Sequence, residues 1–164
     1  MSRAFLSLGG NLGDRLGYLR AAVDALGNGP SMEMLGVSRV YETEPVEVSG
    51  DQPQYLNCVV ELECAVSAVE LLRFCQGVEA ALGRERKGER APRTVDIDVL
   101  LFGEEVISFS DLDVPHPGIT RAFNLRGLAD IDAALYIPDL GTVDDALSGA
   151  RLDGVRELKG VSLC

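Results

Sequence analysis

The chain of 164 residues has no tryptophan, one histidine and four cysteines, and only 5% of it is aromatic. A single histidine with no recognisable nucleophile motif gives no Ser-His-Asp or Cys-His grammar, so covalent catalysis is disfavoured. Cys58, Cys64, Cys75 and Cys164 form no CxxC or metal spacing, and three of them lie within apolar patterns. They read as reduced packing residues. No run approaches the roughly 18 apolar residues of a membrane helix, and the apolar stretch in Met1–Leu8 is too short for a signal peptide. The expectation is a cytoplasmic protein. Basic residues are also scarce, 15 against 26 acidic ones, for a formal charge of −11. A protein that coats nucleic acid needs a domain-wide basic footprint, so neither nucleic acid nor membrane is an expected partner. There is no internal repeat or low-complexity tract. The length and the 46% apolar content fit one globular domain over residues 1–164, expected to act as a monomer.

Against that background one juxtaposition stands out. Asp96 and Asp98 sit two apart inside the apolar run Thr94–Phe102, and the ten residues before it, 84–93, hold Arg84, Arg86, Lys87, Arg90 and Arg93, a third of the chain's basic residues. On a strand, residues i and i+2 share a face, so Val95, Ile97 and Val99 can enter a core while both carboxylates point the other way, about 6.5–7 Å apart at Cα. Two carboxylates so placed repel, and a cation between them relieves the repulsion. Hard oxygen ligands of this kind suit Mg²⁺, which keeps its remaining coordination for water and phosphate oxygens. Gly83, Gly88 and Pro92 break helix and strand patterns in the basic stretch, which reads as an arginine-rich loop suited to polyphosphate. The plain alternative is a solvated strand face beside a loop of mixed charge.

The hydrophobic pattern gives the order βαββαβ. Residues 3–8 begin a strand, Gly9–Asp14 turn, and Leu12, Leu16, Leu19, Ala22, Val23 and Leu26 recur at helical spacing. Met34–Thr43 reads as a second strand and Glu47–Pro53 as a polar loop. Tyr55–Cys64 alternates as a third strand, with Leu56, Cys58, Val60 and Leu62 on one face and Tyr55, Asn57, Val59 and Glu61 on the other. Ser67 and Glu70 form a capping box before a second amphipathic helix. The strand bearing the two aspartates follows, and Gly103-Glu104 reads as a tight turn pairing it with a short strand around Val106 and Ile107. A Pro-rich loop, Val114–Gly118, a third helix from about Thr120 to Ala129 and a less regular tail complete the chain. The expected class is α+β: a ferredoxin-like βαββαβ core, a mostly antiparallel sheet with helices packed on it, plus C-terminal additions.

Smaller constellations carry less weight. Gly9-Gly10-Asn11-Leu12-Gly13 is neither GxGxxG nor a Walker sequence, so its glycines are expected to turn the chain and admit a close neighbour rather than to cradle phosphate. Tyr55 and Asn57 could hold a planar heterocycle, an amide offering both donor and acceptor; a structural Asn fits the spacing better. His116, between two prolines, reads as structural on its own.

Several separated segments together carry a resemblance: Ser7–Arg15, Tyr41–Val46, Asp51–Asn57, the Pro92-Arg93-Thr94-Val95-Asp96-Ile97-Asp98 block with Val99–Gly103, and Val114–Pro117 with Arg121-Ala122-Phe123. In order, from residue 3 to about 130, they resemble the 6-hydroxymethyl-7,8-dihydropterin pyrophosphokinases of folate biosynthesis. The resemblance implies a Mg²⁺-dependent enzyme that moves the terminal pyrophosphate of ATP onto the pterin hydroxymethyl group and releases AMP. It implies that Asp96 and Asp98 hold two Mg²⁺ ions bound with ATP, and that Arg84 and Arg93 neutralise phosphates, assisted by Lys87 and Arg90. Gln76, Glu79, His116 and Arg121 match the nucleotide side. Thr43, Glu44, Val46, Tyr55, Asn57 and Phe123 match the pterin side. The chain departs from the family pattern at Arg90-Ala91-Pro92-Arg93, one residue shorter and without the usual tryptophan, in a loop one residue longer before Tyr55, and at Leu125-Arg126-Gly127-Leu128. Two competing readings remain. A polymerase-β-like nucleotidyltransferase would place its Gly turn close before the acidic pair, whereas a whole βαββα unit separates Gly10 from Asp96. A non-enzymatic ferredoxin-like ligand-binding module leaves the arginines and both aspartates unexplained.

Overall fold

The computed structural model describes residues 1–44, 53–83 and 94–163. In chain order these form β1 (Ser2–Gly10), α1 (Arg15–Gly27), β2 (Met32–Val37), β3 (Tyr41–Thr43), β4 (Tyr55–Cys64), α2 (Ala68–Ala81) and β5 (Asp96–Phe102). Then come β6 (Ile107–Phe109), β7 (Leu112–Val114), α3 (Ala122–Asp132), β8 (Tyr136–Ile137), β9 (Gly141–Thr142), α4 (Val143–Ser148) and β10 (Val155–Glu157). Strand β1 lies at the centre, antiparallel to β4 along its full length and to β5 on its other side. Both β2 and β3 pair antiparallel with β4, β2 beside its C-terminal half and β3 beside its start. With β2 and β3 taken as one interrupted strand, the order is β5, β1, β4, β2/β3, which interleaves two β-α-β units in the ferredoxin-like manner.

The sheet carries a core on each face. Alternate residues of the strands, Leu6 and Leu8, Cys58, Val60 and Leu62, Ile97 and Val99, together with Val95 just before β5, pack with α1 and α2. Helix α1 contributes Leu19, Ala22, Val23 and Leu26 to it. Leu12, which shares that spacing, lies in the preceding turn and is exposed. The Ser67–Glu70 capping box starts α2 as expected, each side chain accepting from the other's backbone N–H. On the opposite face Phe5, Val59, Leu100 and Leu101 pack with Leu125 and Leu128 of α3. Tyr41 ties β3 to α3: its hydroxyl donates to Asp130 Oδ2 at 2.6 Å, and the Arg126 guanidinium lies 4.6 Å over its ring. Burial and that carboxylate hold the phenol well above its ordinary pKa.

Three expectations are corrected. The strand expected over Met34–Thr43 is broken, because Ser38 spends its hydroxyl on the backbone: its Oγ accepts from Val59 N–H at 2.8 Å and donates to Arg39 O at 2.7 Å, displacing the ladder. Gly103 does turn the chain, at φ +56, but β6 pairs with β7 across Ser110-Asp111 rather than with β5. The tail is more ordered than its pattern suggested. It forms the β8–β9 hairpin and α4, and β10 joins the main sheet outside β3, with Val155 opposite Thr43 and Glu157 opposite Tyr41.

Helix α3 sits close to β4 because Gly127 has no side chain: a Cβ there would come within 2.5 Å of Val59 Cγ2. Gly127→Ala is therefore expected to overpack this contact and lower stability by about 1–3 kcal/mol, measured as a shift of the urea midpoint at unchanged m-value.

Candidate active site

Strand β5 is an edge strand, so its outward backbone groups need partners from elsewhere. Two of them are met by residues singled out in the sequence. Glu79, on the face of α2 turned to the sheet and 3% exposed, accepts from Ile97 N–H through Oε2 at 2.8 Å. It thus grips the strand between Asp96 and Asp98. Further along, β5 carries a bulge: Leu6 pairs with Val99 and Phe5 with Leu101, leaving Leu100 without an opposite residue on β1. The Leu100 carbonyl accepts from His116 N–H at 3.0 Å. This bond brings the loop after β7 back onto the strand.

His116 is oriented in turn. Its Nδ1 accepts from Gly118 N–H at 2.9 Å, so the neutral ring carries its proton on Nε2. That nitrogen faces Asp98 Oδ1 at 3.7 Å. A Cβ at Gly118 would lie 3.2 Å from His116 Nδ1 and 3.4 Å from Arg121 Nε, so glycine is what lets the imidazole and the guanidinium approach the same point. Asn124 closes the loop by donating to Gly118 O at 2.9 Å. Arg121 is the exposed N-cap residue of α3, and the half-buried Phe123 lies in the first turn.

Across the sheet, Asn57, Gly9 and Asp96 lie in one row, and Val59, Ser7 and Asp98 in the next. Residues in register share a face, so the two carboxylates and Asn57 point to the side that α3 covers only further along. Adjacent strands are about 4.8 Å apart, which separates Asn57 from Asp96 by roughly 10 Å at Cα. The glycine between them has the role its sequence suggested. A Cβ at Gly9 would come within 2.4 Å of Asn57 Oδ1, so the amide lies directly over a bare backbone. Asn57 Nδ2 donates to Thr43 Oγ1 at 2.7 Å, with both residues buried. Tyr55 stands opposite Thr43 on β4.

The described site residues therefore gather into an acidic side, with Asp96, Asp98, Glu79, His116 and Arg121, and an amide side, with Asn57, Thr43 and Tyr55. Gln76 lies further out, bonded through both ends of its amide. Its Oε1 accepts from Arg73 at 3.0 Å and its Nε2 donates to Asp111 at 3.1 Å. Glu44 is exposed next to Thr43. Val46, Arg84, Lys87, Arg90 and Arg93, with the loops 47–53 and 84–93 up to residues 52 and 93, lie outside the described residues. Among the described residues no group of three or more His, Cys, Asp or Glu is placed to hold a metal ion. The donor set that Asp96 and Asp98 offer, two hard carboxylates with Asp98 about one-third exposed, fits a cation that draws its other ligands from water and phosphate.

Sequence reasoning passed over a second group. Arg15 Nη1 donates to Glu42 Oε2 at 3.0 Å and to Gln54 O at 2.8 Å, and Asn11 Nδ2 donates to Pro53 O at 3.1 Å. Arg156 bonds the other oxygen of Glu42 and reaches Gln54 Oε1 at 3.1 Å. The bonds join residues far apart in the chain, so no local pattern announces them; only Asn11 within the glycine-rich turn, and Arg15 at the start of the helix after it, gave a signal.

With this geometry in view, comparison with known proteins is decisive. Residues 5–133 match the family model for 7,8-dihydro-6-hydroxymethylpterin-pyrophosphokinase (HPPK). The chain belongs to this family. It is 44% identical over 129 residues to the 2-amino-4-hydroxy-6-hydroxymethyldihydropteridine pyrophosphokinase of Bacillus subtilis, covering 78% of this chain and 77% of that one. Against the Pseudomonas aeruginosa protein of the same name it is 34% identical over 161 residues, 98% and 99% of the two chains. The wild-type HPPK-DHPS of Plasmodium falciparum, a solved structure, shares the fold with TM-score 0.71 at 15% identity over 90% of this chain. This HPPK chain spans 43% of that longer chain.

The link between α2 and the β6–β7 turn has a titratable signature. Hydrogen bonds from Arg73, then from Gln76, hold the Asp111 carboxyl down to about 2, below its ordinary 3.8. A depressed carboxyl contributes its share of stability above the unfolded value and loses it as pH falls through about 2. Arg73→Ala is expected to move the Asp111 titration back toward 3.8, read from its side-chain carbonyl resonance by NMR. Separately, Glu79→Ala leaves the buried Ile97 N–H without this acceptor and is expected to cost about 1–3 kcal/mol in denaturant unfolding, while Glu79→Gln, which keeps an acceptor, costs less.

Proposed function

We propose that this HPPK domain transfers pyrophosphate from ATP to the hydroxymethyl group of 6-hydroxymethyl-7,8-dihydropterin in folate biosynthesis, yielding AMP and the pterin diphosphate. The observation that carries this reading is the single row across three strands in which Asn57 and Asp96 flank Gly9. It sets an amide suited to a heterocycle beside carboxylates suited to a metal-bound polyphosphate. Names borne by full-length relatives support the same reaction.

In this reading the pterin hydroxyl oxygen attacks the β-phosphorus of ATP and its proton passes to solvent, the bond from that phosphorus to the α–β bridging oxygen breaks, and AMP leaves with that oxygen. Asn57 presents its amide to the pterin edge, fixed by Thr43. Tyr55, Glu44 and Val46 border the ring, and Phe123 stacks on it. On the nucleotide side Gln76, Glu79, His116 and Arg121 position ATP, Glu79 by holding the strand between the aspartates and His116 by directing Nε2–H at Asp98. Arg84 and Arg93, with Lys87 and Arg90, offset the phosphate charge in transfer, and positioning with electrostatics supplies most of the rate. Asp96 and Asp98 would hold two Mg²⁺, which when bound neutralise phosphate oxygens and orient them for in-line displacement.

Residues 1–164 act in this reading as one domain and as a monomer, β10 belonging to the same sheet as β3. Burial of Cys58, Cys64 and Cys75 in the core supports reading them as packing residues in a reducing, cytoplasmic setting. The charge of −11 supports small polyanionic substrates captured locally rather than nucleic acid, and among the described residues no helix is long and apolar enough to cross a membrane.

Product analysis after incubation with ATP, Mg²⁺ and 6-hydroxymethyl-7,8-dihydropterin is expected to give pterin-dependent AMP and no ADP; ADP, or AMP without pterin, would refute the transfer. Asp98→Asn is expected to lower turnover by at least about 10³-fold with unchanged circular dichroism. Turnover at the wild-type level would remove the metal assignment.

A further inference from the structure

The glycine-rich turn after β1 and the C-terminal strand β10 meet at one place that the reaction above does not use. Strand β3 has three residues, and its last rung joins Thr43 to Tyr55. An end rung of so short a strand frays unless something outside the ladder holds it. Both residues flanking that rung are held. Glu42, next to Thr43, has one carboxylate oxygen on Arg15 and the other on Arg156. Gln54, next to Tyr55, has its backbone carbonyl on Arg15 and its side-chain oxygen on Arg156. Asn11, 1% exposed, takes the carbonyl of Pro53 one residue earlier, just beyond the last β1–β4 pair, Gly10 with Leu56. A strong donor on α1, another on β10 and an amide in the glycine turn thus converge on three residues, Glu42, Pro53 and Gln54, on the two stems beside one rung.

We propose that Asn11, Arg15 and Arg156 are positioning residues that hold the Thr43–Tyr55 rung, and through Thr43 the Asn57 amide, in the geometry that binds the pterin. The inference rests on the assignment of Thr43, Tyr55 and Asn57 to the pterin side. It gives the glycine-rich turn a task distinct from phosphate binding: Gly9 makes room for Asn57, and two residues further on Asn11 begins to fix the segment that leads to it. Arg15 has the largest part. A single Nη1 bridges both stems, and its side chain is only 29% exposed, so its bonds are less screened than those of Arg156 at 69%. Among the described residues the bonds of Arg15 and Arg156 go to the β3 and β4 stems on the amide side, and Asn57 there is about 10 Å from Asp96 across β1. Their loss should consequently be felt by one substrate and not the other.

Steady-state kinetics with each substrate varied in turn tests this, alongside thermal unfolding of each full-length variant. Arg15→Ala is expected to raise KM for 6-hydroxymethyl-7,8-dihydropterin about tenfold, with KM for ATP changed less than about twofold. Arg156→Ala is expected to give the same split at a smaller size. Arg15→Lys, which retains a cation able to reach both stems, should recover part of the loss. If Asn11→Ala, at a buried position, unfolds the protein, the two arginine variants decide the matter alone. Equal KM values for variants and wild type, or both KM values rising together with a falling melting temperature, would overturn the inference. Wild-type turnover in the same assay separates the two levels: its absence refutes the transfer reading, whereas its presence with no substrate split refutes only the positioning role.

Discussion

Strand β5 is an edge, and an edge must find partners for the groups its sheet does not use. In this fold the partners are Glu79 and the backbone of His116, and almost everything on the acidic side follows from them. A buried carboxylate from the helix before the strand fixes the segment between two aspartates that repel each other. The loop after β7 returns to the Leu100 carbonyl and sets an imidazole beside the second of those aspartates. What would otherwise be an aggregation-prone margin is closed by the residues that build the site.

The same sheet supplies the distance between the two halves of the candidate site. Rigid strand spacing, rather than loop placement, separates Asn57 from Asp96, and a pleated sheet between two cores changes that spacing very little. The one residue that must be small for this to work is Gly9, over which the Asn57 amide lies. Beyond it, the amide is held by a buried hydroxyl whose own strand is three residues long, so the amide side depends on side chains from α1 and β10, while the acidic side depends on α2 and the loop carrying His116.

How far the sequence revealed this differs by feature. Strand β4, the capping box of α2 and the outward pair Asp96 and Asp98 were legible because each is written in a few consecutive residues with a physical period. The closeness of Asn57 to Gly9, by contrast, was visible only as a turn that would admit some neighbour. The break between β2 and β3 escaped notice because Ser38 acts through a hydroxyl whose choice between solvent and Val59 N–H depends on tertiary position. The pairing of β6 with β7 instead of β5 was missed for a related reason: the turn at Gly103 was correctly located, but which strand meets which is decided by where the chain goes next. Arg156 was illegible altogether, since its partners lie more than a hundred residues away.

The unpaired residue at Leu100 also separates two sets of demands placed on β5. Before it, alternation sends Ile97 and Val99 to the helices α1 and α2 and the aspartates to the other side. After it the phase is reset, and Leu100 and Leu101 both join the core beneath α3 while Phe102 returns to the first. The bulge is a joint between a half-strand that carries the candidate site's carboxylates and a packing half-strand. A repacking of the α3 core on one side of the bulge can thus leave the facing of Asp96 and Asp98 unchanged on the other, within a single seven-residue strand.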